Sequence, residues 1–312
     1  MTTAMLAVAF LLPVSGYWRE HHNEMGLEDL ELKFLPSKQE VRLVHIPKSS
    51  GTALIRDARK LGKPVVNHET CAYDPQEYCK DCDEWQATML REPRSHVLSM
   101  FFHCTYNQPN EELHPNSALK AENSDLPRFH SRNDTSLSEA RKKELDFKAF
   151  DLWLEHFNSS WKLDDGYYGC YQPSNMQSRY LTCAESGWTH SHGVGSMEML
   201  KPDLDAAKET LNNMFFFGIK EEYHTSLCLY AYQSTGDFPE SCECGFKGKE
   251  LKSSEALHGI PPHSTDDLNA KQIKQIDALT GVDVQLYQYA TALFWERVAF
   301  AEARSGKKIS KC

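Results

Sequence analysis

Six consecutive residues, Pro47-Lys48-Ser49-Ser50-Gly51-Thr52, bring together a cation, three hydroxyls and a glycine. That set suits an oxyanion such as phosphate or sulfate. Val41-Arg42-Leu43-Val44-His45-Ile46 precedes it and reads as a strand, and Ala53 to Leu61 follows as a helix stopped by Gly62 and Pro64. A turn between strand and helix offers an anion the unpartnered N–H groups and the positive dipole end of the helix. Lys48 adds charge, Ser49, Ser50 and Thr52 add donors, and Gly51 lets the backbone approach the ligand closely. A Walker A loop needs a glycine directly before its lysine and another five residues earlier, where this chain has Pro47 and Arg42. A kinase or ATPase reading is weakened accordingly.

A second cluster lies in Leu90-Arg91-Glu92-Pro93-Arg94-Ser95-His96-Val97-Leu98-Ser99. Gln86 to Leu90 reads as a strand, and Pro93 opens a helix lasting to about Tyr106. Arg91 then stands at a strand end with a planar fork for phosphate, and Ser99 lies two turns along the helix. For a general base, His68 at the end of a short strand beginning at Val65 is the first choice, and Glu69 the second. Arg179 is a further ligand contact, with a surface salt bridge as its plainer role. His45 reads as structural, and His96 or His103 could line the nucleotide site. His190-x-His192 alone is too small for a metal centre.

Strands that alternate with helices predict an α/β fold: a central, largely parallel sheet with helices on both faces. The other expected elements are helices at 136–145, 147–157, from about Ser174, at 201–213, from about Glu221, at 267–279 and at 282–304, and a strand at 214–219. Residues 1–16 read as a signal segment or a shortened anchor, 17–40 as a stem, and 41–304 as the main domain, with a long polar insertion at 107–146.

His45-Ile46-Pro47-Lys48-Ser49-Ser50-Gly51-Thr52 resembles the 5′-phosphosulfate loop of the Golgi carbohydrate sulfotransferases, especially the heparan-sulfate 2-O/6-O type, which carries Thr and Gly where this chain has Ser49 and Ser50. The segment 90–99 is similar to that family's 3′-phosphate site. Asn175-Met176-Gln177-Ser178-Arg179-Tyr180-Leu181 looks like its Asn-x-Gln-Thr-Arg-x-Leu stretch. Phe217-Gly218-Ile219-Lys220-Glu221-Glu222-Tyr223 with Ser226-Leu227 resembles its late strand–helix junction, and the helix carrying Asp283, Leu286 and Tyr287 its last helix. The resemblance implies a P-loop-containing sulfotransferase-like fold. It implies 3′-phosphoadenosine 5′-phosphosulfate as co-substrate, held by Lys48, Ser49, Ser50, Gly51, Thr52, Arg91, Ser99 and Arg179, with no metal, and a glycan hydroxyl as acceptor. Lys48 would stabilise the leaving phosphate while His68 or Glu69 took the acceptor proton. Acceptor choice would lie in the loops 107–146 and 184–200. The alternatives are a P-loop small-molecule kinase and a secreted, non-catalytic nucleotide-fold binding protein.

A formal charge of −10 argues against a nucleic-acid partner. Ten cysteines, including Cys79-x-x-Cys82 and Cys242-x-Cys244, favour disulfides and an oxidising compartment over zinc. Asn133-Asp134-Thr135 and Asn158-Ser159-Ser160 fit the glycosylation acceptor pattern. The apolar run Ala4 to Val14 is too short to cross a bilayer, which takes about 20 residues. It suits a signal segment, and attachment through the N-terminus stays open. Golgi lumen, as a type II membrane protein or a secreted one, is the expected location.

Overall fold

The computed structural model describes residues 32–36, 40–61, 63–68, 85–106, 136–159, 171–182, 201–244, 246 and 263–310. Four strands, β1 (Val41–Val44), β2 (Val65–His68), β3 (Gln86–Leu90) and β4 (Phe216–Ile219), form an all-parallel sheet in the order β2-β1-β3-β4. Every residue of β1, β3 and β4 is buried, as a sheet covered on both faces requires. Right-handed crossovers fix which face each helix takes. β1→β2 steps one way from the centre and β3→β4 the other, so their connecting helices lie on opposite faces. The two chains therefore diverge after β1 and β3, and open sheets bind ligands at that point, outside the strand ends. The Lys48 loop leaves β1 and Arg91 leaves β3.

Helix α1 (Gly51–Lys60) follows the loop, and α2 (Pro93–Tyr106) follows Arg91. One long helix, α3 (Glu139–Ser159), replaces the two expected ones and shortens the polar insertion at its C-terminal end. No glycine or proline interrupts 139–159, and Phe150, Trp153 and Phe157 recur at helical spacing on a buried face that meets Phe101. Asn158 lies half-buried on this helix, its amide donating to Leu154 O and Gln275 O.

Next come α4 (Met176–Thr182), α5 (Leu204–Asn213), α6 (Tyr223–Thr235), α7 (Ala270–Leu279) and α8 (Gly281–Ser305). Helix α5 starts later than expected because Asp203 caps it, accepting from Asp205 N and Ala206 N. Glu221 sits in a 3-10 turn before α6 and does not cap that helix. Its carboxylate instead accepts from Glu92 N and Tyr287 Oη. Asp57 of α1 accepts from Tyr223 Oη at 2.9 Å, pinning α1 to α6 on one face, while α2 packs against α7 and α8 on the other. A disulfide joins Cys228 to Cys242, and Cys244 is also disulfide-bonded. No helix among the described residues is long and apolar enough to cross a membrane.

Residues 1–16, Glu69, Cys79, Cys82, Asn133, His190 and His192 lie outside the described residues, as does most of 107–146 and all of 184–200.

Candidate active site

The turn 47–50 is shaped by two left-handed residues, Lys48 (φ 64°) and Ser50 (φ 73°). Left-handed residues set among ordinary ones turn successive N–H groups toward one concave side, an arrangement that suits an anion. Ser50 caps α1 with no hydrogen bond from its side chain. Ser49 is fully buried, and its hydroxyl has no protein partner. A buried hydroxyl left unsatisfied costs about 1–3 kcal/mol, which an oxyanion at the loop would return. Gly51 answers a nearer need than ligand approach: a Cβ there would stand 2.7 Å from Nε2 of His45 and closer still to its Cδ2. The histidine ring occupies the space a side chain would take.

Arg91 ties the two clusters together. Its Nη1 donates to the carbonyl of Lys48 at 2.9 Å and its Nε to Ser95 Oγ at 2.9 Å. Gln177 holds its backbone on both sides, with Arg91 N donating to Oε1 at 2.9 Å and Nε2 donating to Arg91 O at 2.8 Å. Glu92 caps α2, accepting from Arg94 N and Ser95 N, and so fixes the angle at which that helix leaves the strand.

One stripe of α2, at positions i, i+3 and i+7, carries His96, Ser99 and His103. His96 Nε2 donates to Pro47 O at 2.7 Å. Burial, helped by the charges of Arg91 and Lys48, pushes that imidazole down to about 3, so it is neutral and serves as a strut for the loop. Lys48 Nζ lies 3.2 Å from His103 Nδ1, and the His103 ring stacks on Tyr171 with centroids 5.6 Å apart. Burial first, then the charge of Arg91, lowers Lys48 to about 8. Ser99 is buried midway along the stripe.

Segment 174–181 works as a bracket. Asn175 Oδ1 accepts from Val282 N and Asp283 N at the start of α8, while Asp283 accepts from Gln177 N, Ser178 N and Ser178 Oγ at the start of α4. Each helix thus caps the other. Burial raises the Asp283 carboxyl, partly offset by the hydrogen bonds it accepts from Ser178 and Gln177. Arg179 makes no surface salt bridge: it is buried, its Nε and Nη2 donating to Ser174 O and Gln172 O. It holds the turn that carries Tyr171.

The structure thus brings together Lys48, Ser49, Ser50, Gly51, Arg91 and the Ser99 stripe, while Thr52 is exposed in the first turn of α1. His68 ends β2 level with Val44, at the same edge of the sheet, and the description there covers its backbone alone. Sequence reading underrated His103, Ser95 and Gln177. The i, i+7 spacing of His96 and His103 was the available signal for the first. Nothing local marks Gln177 as the partner of a residue 86 positions away. Compared with known proteins, the chain matches no family model and no curated sequence.

Proposed function

We propose that this chain is a sulfotransferase that transfers the sulfuryl group of 3′-phosphoadenosine 5′-phosphosulfate to a hydroxyl of a glycan, on a P-loop-containing sulfotransferase-like fold. The observation that carries this reading is the junction of Arg91 with the Lys48 loop across the point where the chains leaving β1 and β3 diverge. A donor with phosphate at both its 3′ and 5′ ends needs two anion sites a fixed distance apart. The loop supplies one, and Arg91 with Ser99 supplies the other.

In the transfer, the acceptor oxygen bonds to sulfur while the bond between sulfur and the bridging phosphate oxygen breaks. The electron pair and its charge go to the phosphate. Lys48 and the N–H groups of the loop are preorganised to receive that charge. The residue types of the loop and the shortness of the turn suit a phosphosulfate better than a triphosphate. The Cys228–Cys242 bond and the bonded Cys244 support an oxidising compartment, in line with the Golgi lumen and a glycan acceptor.

Calorimetry with 3′-phosphoadenosine 5′-phosphate, ATP and 5′-AMP tests the two-phosphate site. The 3′,5′-bisphosphate should bind at least about tenfold more tightly than 5′-AMP, and Arg91→Ala should abolish that margin. Each tenfold corresponds to about 1.4 kcal/mol. Tighter binding of ATP than of the bisphosphate would replace this reading with the small-molecule kinase.

A further inference from the structure

We infer that His103 is the group that takes the proton from the acceptor hydroxyl, an inference that rests on the sulfotransferase reading above. A general base must stand within hydrogen-bond reach of the attacking oxygen, with a lone pair available and its ring held in place. His103 meets the last two conditions. The Lys48 ammonium carries only donors, so the Nδ1 facing it at 3.2 Å is the nitrogen with the lone pair. Stacking on Tyr171, itself fixed by the turn that Arg179 holds, sets the plane of the ring.

The first condition turns on position. In an in-line displacement the attacking and leaving oxygens lie on opposite sides of sulfur, a few ångströms apart. Lys48 is the residue suited to the leaving oxygen, and His103 is its hydrogen-bond neighbour. Once the donor's phosphate draws the ammonium to itself, the Nδ1 lone pair is released beside the sulfuryl group. The proton then passes from the acceptor hydroxyl to Nδ1, and the half-buried imidazolium gives it up to solvent. No other reactant is needed. Lys48 meets the ring at Nδ1 and Tyr171 stacks on it, while Arg91 and His96 hold the loop that carries Lys48. His103 reaches Lys48 directly, and His68 ends the edge strand β2.

The test uses the full chain and the variants His103→Ala, His103→Gln and His68→Ala. It measures the binding of 3′-phosphoadenosine 5′-phosphate alongside sulfuryl transfer as a function of pH. His103→Ala should bind the bisphosphate within about threefold of wild type yet lose about 100-fold or more in kcat, the range of general-base loss. It should lose the acid limb of the pH–rate profile and recover part of the rate when imidazole is added. His103→Gln keeps an acceptor for Lys48 but cannot take a proton, so it should be as slow as His103→Ala. His68→Ala should retain the acid limb. A His103→Gln variant with near-normal kcat would overturn the inference by reducing His103 to a positioning residue. Loss of the acid limb in His68→Ala alone would move the proton to that histidine and overturn it too. A wild-type chain that fails to bind the bisphosphate overturns the sulfotransferase reading itself, and the role of His103 with it.

Discussion

Arg91 holds Lys48 by its backbone: Nη1 of the arginine donates to the lysine carbonyl at 2.9 Å, so two cations from the loops after β1 and β3 are kept within reach of each other's charge. Their mutual repulsion is visible in Lys48, which burial and Arg91 together lower to about 8. Such an arrangement is stabilised when anions bind beside the cations.

The first prediction follows from that charge. Free Lys48 is about half deprotonated near pH 8, and a bound phosphate would restore its proton. Binding of 3′-phosphoadenosine 5′-phosphate at pH 8 should therefore take up roughly half a proton, read by calorimetry in buffers of different ionisation enthalpy. Uptake should vanish at pH 6.5 and in Lys48→Met, and affinity should fall as pH rises through about 8. Equal uptake in Lys48→Met would assign the proton elsewhere.

Gln177 is predicted to support the site without touching ligand. Gln177→Met keeps the volume but strands the N–H and C=O of Arg91, each about 1–3 kcal/mol when buried and unpaired. Thermal unfolding should show a loss of about 2–6 kcal/mol, and bisphosphate affinity should fall as Arg91 drifts. An unchanged melting temperature would show that the bracket is dispensable.

Ser50 has a left-handed backbone, with φ 73°, at the position where the resembled family carries glycine. Ser50→Gly removes a steric cost of about 1–2 kcal/mol but loosens the unfolded chain by about 0.5–1 kcal/mol. The net should be a stabilisation of up to about 1 kcal/mol with binding retained. Ser50→Val should destabilise, and denaturant titration of the pair checks the sign.

Asp57 links α1 to α6 and gives a separate handle on stability. Burial would raise its carboxyl, but hydrogen bonds from Arg56, Lys60 and Tyr223 prevent this and hold it at about 2. A depressed carboxyl stabilises the fold above its unfolded value and loses that contribution as pH falls through the folded one. Asp57→Asn should thus cost about 1–3 kcal/mol at pH 7, and its gap from wild type should close between about pH 4 and 2. A gap independent of pH would contradict the ion-pair account.

The sheet and the loop were legible because their signals are local. Val41–Val44 and Gln86–Leu90 are short, buried and bounded by turn residues, and Pro93 marks the helix start outright. Elements set by contacts distant in sequence were not. The polar first turns of α3 read as a separate helix inside the insertion because its apolar face emerges only from about Leu145. Glu221 read as the start of its own helix, yet its carboxylate serves Glu92, 129 residues away. Arg179 also offered a surface ion pair as its plainer role, because sequence shows its charge but not the enclosed carbonyls that hold its Nε and Nη2. Gln177 follows the same rule, since its partner is a backbone that any residue type could have supplied.

The most direct measurement is transfer of radiolabelled sulfate from 3′-phosphoadenosine 5′-phosphosulfate to a panel of glycans by the wild-type chain and by Lys48→Ala. Wild type should label at least one glycan, and Lys48→Ala should be slower by about 100-fold or more, the scale on which a lost charge-stabilising donor acts. Absence of label on every acceptor, together with no affinity for the bisphosphate, would contradict the sulfotransferase assignment and return the loop to the kinase or binding-protein readings.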